Sequence, residues 1–177
     1  LGTMGILVKG YAVKKIFDIK KRPEEKALPV FVRDIPLARQ YAYISDAKAK
    51  FLEKIWPGPV TMVFHHKGKF PNALTGGQDT IGMRMPAHRF IAGLLSKFET
   101  PLAQTSANIS QKPPAKNLAE LEEYFRDAKF KPDLIVDGGA IEGEASTVLD
   151  FKGNEPIILR MGMITKSQLD ELLNTRS

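Results

Sequence analysis

The stretch Ser45–His65, SDAKAKFLEKI followed by WPGP and VTMVFH, sets the fold class. Ser45 stands before a run in which Phe51, Leu52 and Ile55 recur at helical spacing. A serine there caps a helix by accepting a hydrogen bond from a first-turn N–H. Trp56-Pro57-Gly58-Pro59 then ends the helix, because proline lacks an N–H and disfavours helical geometry in the residue before it. Val60, Met62 and Phe64 alternate with Thr61, Val63 and His65, the period of a strand with one buried face.

The same alternation repeats outward in both directions. Toward the N-terminus, Tyr11–Lys20 reads as a helix with Val13, Ile16 and Phe17 on one face, and Pro23 stops it near Arg22. Leu28–Val32 is a short buried strand. Toward the C-terminus a glycine-bearing loop spans Lys67–Asp79. Thr80–Met85 reads as a strand, His88–Phe98 as a helix and Pro101–Thr105 as a strand. A polar loop runs from Ser106 to Lys116, and Leu118–Ala128 is an amphipathic helix. Leu134–Asp137, Thr147–Phe151 and Ile157–Arg160 read as strands, and Thr165 caps a final helix. No internal repeat or low-complexity linker interrupts the pattern, so residues 1–177 are expected to form a single domain. The fold class expected is α/β, a mixed sheet with helices on its faces, with ligands favoured at strand ends.

Bulk composition narrows the chemistry. Of 177 residues, 43% are hydrophobic, enough for a real core. There is no cysteine, hence no disulfide framework or thiolate chemistry. No apolar run approaches a membrane span and no signal-peptide pattern opens the chain, so a cytoplasmic location and no membrane partner are expected. The formal net charge is +6. Residues 1–26 hold seven Lys and Arg against three acids, an excess that suits a nucleotide or an RNA and equally describes a solvated helix face. His65, His66 and His88 lack metal-ligand spacing, so no protein metal site is expected. A P-loop, a dinucleotide glycine fingerprint and a G-x-S-x-G elbow are all absent.

Four groups of residues could carry chemistry. Lys20 and Arg22, with Lys26 beyond, would project toward one loop if Pro23 ends the helix, and ammonium and guanidinium groups suit phosphate oxygens. A basic helix C-terminus would look the same. Thr105-Ser106-Ala107-Asn108 ends a strand in small polar residues that could cradle an anion, or simply turn. Ser146-Thr147-Val148 follows the Gly138-Gly139 loop, with Arg160 on the next strand. Thr80 and Arg84 share a strand face ahead of Pro86 and His88.

Taken in order, these stretches resemble one family. Lys20-Lys21-Arg22-Pro23-Glu24-Glu25-Lys26-Ala27-Leu28 resembles its K-x-R-P-x-x-K-G/P-L motif, and Trp56-Pro57-Gly58-Pro59-Val60-Thr61 its W-P-G-P-V-T block. Arg84-Met85-Pro86-Ala87-His88 resembles R-x-P-x-H. Pro101-Leu102 and Thr105-Ser106-Ala107-Asn108-Ile109-Ser110 resemble P-L-x-x-T-S-A-N-x-S-G. Ser146-Thr147-Val148-Leu149-Asp150 resembles S-T-V-V-D, and Arg160-Met161-Gly162 resembles R-x-G. The resemblance is to the YrdC branch of the YrdC/YciO superfamily and covers roughly residues 12–162.

The resemblance implies a YrdC-like fold, a twisted mixed β-sheet flanked by helices with a concave basic face. It implies synthesis of threonylcarbamoyl-AMP from L-threonine, bicarbonate or CO2, and ATP, with Mg2+ on the phosphates, for threonylcarbamoyladenosine formation at tRNA position 37. By resemblance Lys20 and Arg22 act on the phosphates with Lys26. Thr80, Ser106, Asn108 and Arg160 hold ATP, and Arg84 and Ser146 hold threonine. Other proteins of tRNA threonylcarbamoylation would be partners, and tRNA or double-stranded RNA would meet the basic face. The alternative is a non-catalytic RNA- or nucleotide-binding protein on the same fold, including an anion-binding module of a tRNA-modifying complex.

Two departures from the pattern carry expectations. Members open with a strand and turn resembling P-T-D/E-T-x-Y-G-L, whereas this chain has Thr3-Met4-Gly5-Ile6-Leu7 with no aromatic before Gly5, which would alter the threonine pocket. Gln111 replaces the glycine after the S-A-N-x-S run, and a reshaped loop is expected because glutamine resists positive φ. After Arg160 a single helix is expected, without the extra C-terminal domain of some longer members.

Overall fold

A computed structural model describes residues 3–7, 9–140 and 143–175. Seven strands form one mixed sheet: β1 (Thr3–Leu7), β2 (Val30–Phe31), β3 (Val60–His65), β4 (Thr80–Arg84), β5 (Leu102–Ser106), β6 (Thr147–Asp150) and β7 (Ile157–Arg160). Their order across the sheet is β1-β5-β2-β4-β3-β6-β7. The pairs β2–β4 and β3–β6 are parallel and the rest antiparallel. The helices are α1 (Gly10–Lys20), α2 (Ile35–Tyr41), α3 (Asp46–Ile55), α4 (Asn72–Thr75), α5 (Arg89–Leu95), α6 (Leu118–Phe125) and α7 (Lys166–Thr175).

The Ser45–His65 stretch folds as its pattern dictates. Ser45 Oγ accepts from Lys48 N, and α3 buries Ala49, Leu52 and Ile55. The Trp56 indole N–H, buried beyond the helix end, donates to Val60 O at 2.9 Å and fixes the entry into β3. That bond satisfies a polar group which burial would otherwise leave costly. Val60, Met62 and Phe64 then point into the main core with Val30, Ile81, Met83, Ala103 and Leu149, against Val13, Ile16 and Phe17 of α1 and Leu52 and Ile55 of α3.

The alternate positions of the same strands make a second face. Strand periodicity and register put Phe31, Thr61, Val63, His65, Thr80, Gly82, Arg84, Leu102, Gln104, Ser106, Val148 and Asp150 there. One part of it is covered where Ile91 and Leu95 of α5 pack on Phe31 and Leu102. Gly82 keeps the middle low. A Cβ there would sit 3.3 Å from both Pro29 Cβ and Thr61 Cγ2.

Several expectations change. Leu134–Asp137 is not a strand. Leu134 is 80% exposed, and Asp133 beside it is tied to the Lys15 ammonium instead. Three apolar residues in a row specify a strand only where a neighbouring edge receives them. The helices α2 and α4 lie where no helix is expected. α2 is capped by Asp34, whose carboxylate accepts from Leu37 N, and α4 sits inside the Lys67–Asp79 loop. Gln111 does adopt positive φ, at 71°, so the turn after Ser110 keeps the backbone geometry that a glycine would give. β1 forms despite the altered opening motif and pairs with β5 from Thr3–Ser106 to Leu7–Leu102.

Candidate functional site

The nine expected residues fall into two groups. Lys20 and Asn108 are tied to Ser106 at the end of β5, with Arg22 and Lys26 in the loop after α1 and Thr80 on the second face, while Ser146 and Arg160 stand beside the start of β3 toward Arg84. Strand β4 separates them, with Thr80 at one end and Arg84 at the other, about 13 Å apart at a strand rise of about 3.3 Å.

The first group surrounds Lys20. α1 ends there because Lys21 takes a left-handed conformation at φ 51°, its N–H bonding Asp18 O and that of Arg22 bonding Phe17 O. This turn sends Lys20 inward, where it is 2% exposed. Its ammonium donates to Ser106 O at 2.6 Å, Asn108 O at 2.9 Å and Asn108 Oδ1. Ser106 Oγ donates to the same Oδ1 at 2.8 Å, and the Asn108 amide donates to Lys112 O. All three Lys20 acceptors are neutral oxygens. Burial, with the nearby Arg22 charge adding to it, lowers the Lys20 pKa from the ordinary 10.5 to about 8. The lysine is thus charged at neutral pH with no carboxylate bonded to it among the described residues, which favours an incoming anion.

Arg22 leaves the turn in the other direction. Its Nε donates to Lys26 O at 3.1 Å and its Nη2 to Ala27 O at 2.9 Å. These bonds fold Arg22–Ala27 into a compact loop leading to β2, and burial holds the guanidinium pKa below its ordinary value. Lys26 is exposed on this loop. Thr80, half-buried, lies opposite His65 in the β3–β4 ladder.

The second group centres on Ser146. Its carbonyl accepts from Arg160 Nη2 at 2.8 Å, and its hydroxyl lies 2.8 Å from Thr61 Oγ1. Thr147 Oγ1, fully buried, donates to Ile164 O and accepts from Gly162 N and Ile164 N. That pins the chain after β7 against the start of β6. Gly162 is required by contact: a Cβ would meet Ala145 O at 2.2 Å and Ser146 C at 2.7 Å. Arg84 donates from Nε to Gly58 O at 2.9 Å and lies 5.9 Å from the centre of the Phe31 ring. Its burial lowers the guanidinium pKa. Continuing the Met62–Met83 register places Thr61 beside Arg84.

The structure brings Lys20, Ser106 and Asn108 into one hydrogen-bonded cluster, with Arg22 and Lys26 in the adjoining loop and Thr80 on the face. It gathers Ser146 and Arg160 in another, with Arg84 on the neighbouring strand. Among the described residues no hydrogen bond or ion pair joins the two groups. Two clefts elsewhere, of about 410 and 500 Å³, include none of these residues. The residue that sequence reasoning passed over is Thr61. Its signal was the β3 alternation, which sets it opposite the core-facing Val60 and Met62. Such an arrangement can hold an extended polyanion at the Lys20 end and a small zwitterion at the Arg84 end, with polar side chains between.

The Sua5_yciO_yrdC family model, described as "Telomere recombination", matches residues 3–162. The chain is 35% identical over 164 residues to the threonylcarbamoyl-AMP synthase of Pyrococcus abyssi and 37% identical over 168 residues to that of Bacillus subtilis. Each match covers 92% of this chain and 47% of the relative. The chain therefore spans about half the length of these relatives. Among solved structures, P. abyssi Sua5 complexed with L-threonine superposes with a TM-score of 0.85 at 32% identity, over 97% of this chain and 51% of that one. E. coli YciO shares the fold, with a TM-score of 0.80 at 21% identity over 94% of this chain and 81% of that one. With its motif order, its sheet and its matched span in agreement, the chain belongs to the Sua5/YciO/YrdC family.

Proposed function

We propose that this chain carries the substrate face of a threonylcarbamoyl-AMP synthase, joining L-threonine, bicarbonate or CO2, and ATP. The observation that carries the reading is a pair of separate cationic groups toward the two ends of β4, one of them built on a buried lysine whose hydrogen-bond acceptors are neutral oxygens. The triphosphate belongs at the Lys20 end, where Lys20, Arg22 and Lys26 supply positive charge and Thr80, Ser106 and Asn108 supply polar contacts. Threonine belongs at the other end, its carboxylate toward Arg84 and its polar groups toward Ser146. Arg160 acts there through its bond to the Ser146 carbonyl.

In this reaction the threonine amine and bicarbonate first give the carbamate and water. A carbamate oxygen then bonds to the α-phosphorus of ATP as the bond to the bridging oxygen breaks and pyrophosphate leaves. The residues present favour this by position and charge rather than by a dedicated base. Arg22 and Lys20 neutralise the phosphates and steady the departing pyrophosphate. Mg2+, when bound, would sit on the phosphate oxygens and neutralise their charge.

One sheet running from β1 to β7 supports reading residues 1–177 as one domain. Among the described residues no helix is long and apolar enough to cross a membrane, which suits a cytoplasmic enzyme supplying tRNA-modifying partners. The test is pyrophosphate release from ATP by the purified protein, with and without L-threonine and bicarbonate. Release that depends on both, and is lost in Arg22→Ala, is the expected result. ATP binding without threonine-dependent release would leave a nucleotide-binding protein.

A further inference from the structure

We propose that Thr61 is a positioning residue that fixes the Ser146 hydroxyl for recognition of the amino-acid substrate. The proposal rests on the synthase reading and deepens it. Thr61 is 4% exposed, so its hydroxyl is nearly removed from solvent, and its partner is Ser146 Oγ at 2.8 Å. The two residues are far apart in the chain. They meet because β3 and β6 run parallel, with Thr61 beside Val148.

Ser146 is held from three sides. Arg160 Nη2 takes its carbonyl, Gly162 lies against its backbone where no side chain could fit, and Thr61 takes its hydroxyl. The first two contacts fix the backbone and leave the hydroxyl free to rotate. Among the described residues, Thr61 is the partner that fixes the rotor. A hydroxyl has one proton. When Thr61 donates to Ser146, the Ser146 proton is free for a ligand carboxylate or hydroxyl oxygen. When Ser146 donates to Thr61, its remaining lone pair accepts from a ligand ammonium or hydroxyl. Either way a ligand polar group meets an oriented hydroxyl, and the cost of ordering it is met during folding. The Thr61 methyl is fixed in turn, because its Cγ2 lies over the bare Gly82 backbone.

The experiment compares Thr61→Val and Thr61→Ser with the wild type. The readouts are L-threonine binding by calorimetry, steady-state pyrophosphate release at varied threonine and varied ATP, and the thermal midpoint. Valine keeps the shape and removes the hydroxyl; serine keeps the hydroxyl and removes the methyl. Thr61→Val is expected to raise the threonine Kd and KM about tenfold while the ATP KM stays within about twofold, and Thr61→Ser to remain near wild type. An unchanged threonine KM in Thr61→Val overturns the proposal, as does equal impairment toward both substrates in both variants. A wild type that neither binds threonine nor releases pyrophosphate sinks the functional reading and this inference together. An active wild type with an indifferent Thr61→Val sinks the inference alone.

Discussion

A buried lysine without a carboxylate makes a definite statement about pH. Lys20, with its pKa lowered to about 8, is charged at neutrality and loses that charge well below the ordinary range for lysine. The value of kcat/KM for ATP reports the free protein. It is expected to fall as pH rises through about 8, and Lys20→Met should remove this limb and lower kcat/KM about 100-fold. A profile flat up to about pH 10 would overturn the assignment. The stability effect runs the other way. Below pH about 8 both folded and unfolded chains hold the proton and the burial penalty is fully present. Between about 8 and 10.5 the folded chain sheds its proton first, so stability rises with pH across that window. Arg22 was legible as a candidate because cations two apart before a proline suit a phosphate loop. Its bonds to the Lys26 and Ala27 carbonyls were not, since they depend on the left-handed turn at Lys21.

At the level of the element, the connection from β7 into α7 decides the shape of the end around Ser146, where we propose threonine binds. Gly162→Ala would push a methyl into the Ala145 and Ser146 backbone. It is expected to destabilise the fold by about 1–3 kcal/mol in urea titration and to raise the threonine KM more than the ATP KM. Unchanged stability would mean that the contact relaxes at no cost. The elements themselves were readable where local chemistry and tertiary need agree. In α3 and β3 the Ser45 cap, the helical stripe, the proline break and the two-residue period all point one way. Leu134–Val136 has the composition of a strand but no receiving edge, and its exposure shows that composition alone did not decide. The cap of α2 was present in the sequence as Asp34, with Pro36 in the first turn, but the short helix lacked a stripe long enough to announce it. The Thr61–Ser146 contact had no local signal, because only the parallel pairing of β3 with β6 creates it.

On the scale of the whole molecule, the net charge of +6 is unevenly available. Lys15 of the basic N-terminal cluster is bound to Asp133, whereas Lys14 and Lys21 remain exposed. A tRNA partner on this side would be held through its phosphates. Its affinity is expected to fall by about three orders of magnitude between 50 and 200 mM salt if about six phosphates are engaged, and Lys14→Glu with Lys21→Glu should flatten that slope. A salt-independent affinity, or none at low salt, would rule out an electrostatic RNA face.

The strand order has a temporal consequence. Thr3 pairs with Ser106, and Val60 with Thr147. Each ladder joins segments roughly a hundred residues apart, and the entropy of closing such loops must be spent before the pairing returns anything. The β3–β4 and β6–β7 hairpins can close locally, but joining them to each other and to β1, β2 and β5 requires the long loops. The proposed substrate face, with members at both ends of β4, just before β6 and on β7, comes into being only when the last long loop closes. A newly made chain acquires its helices early and its chemistry late.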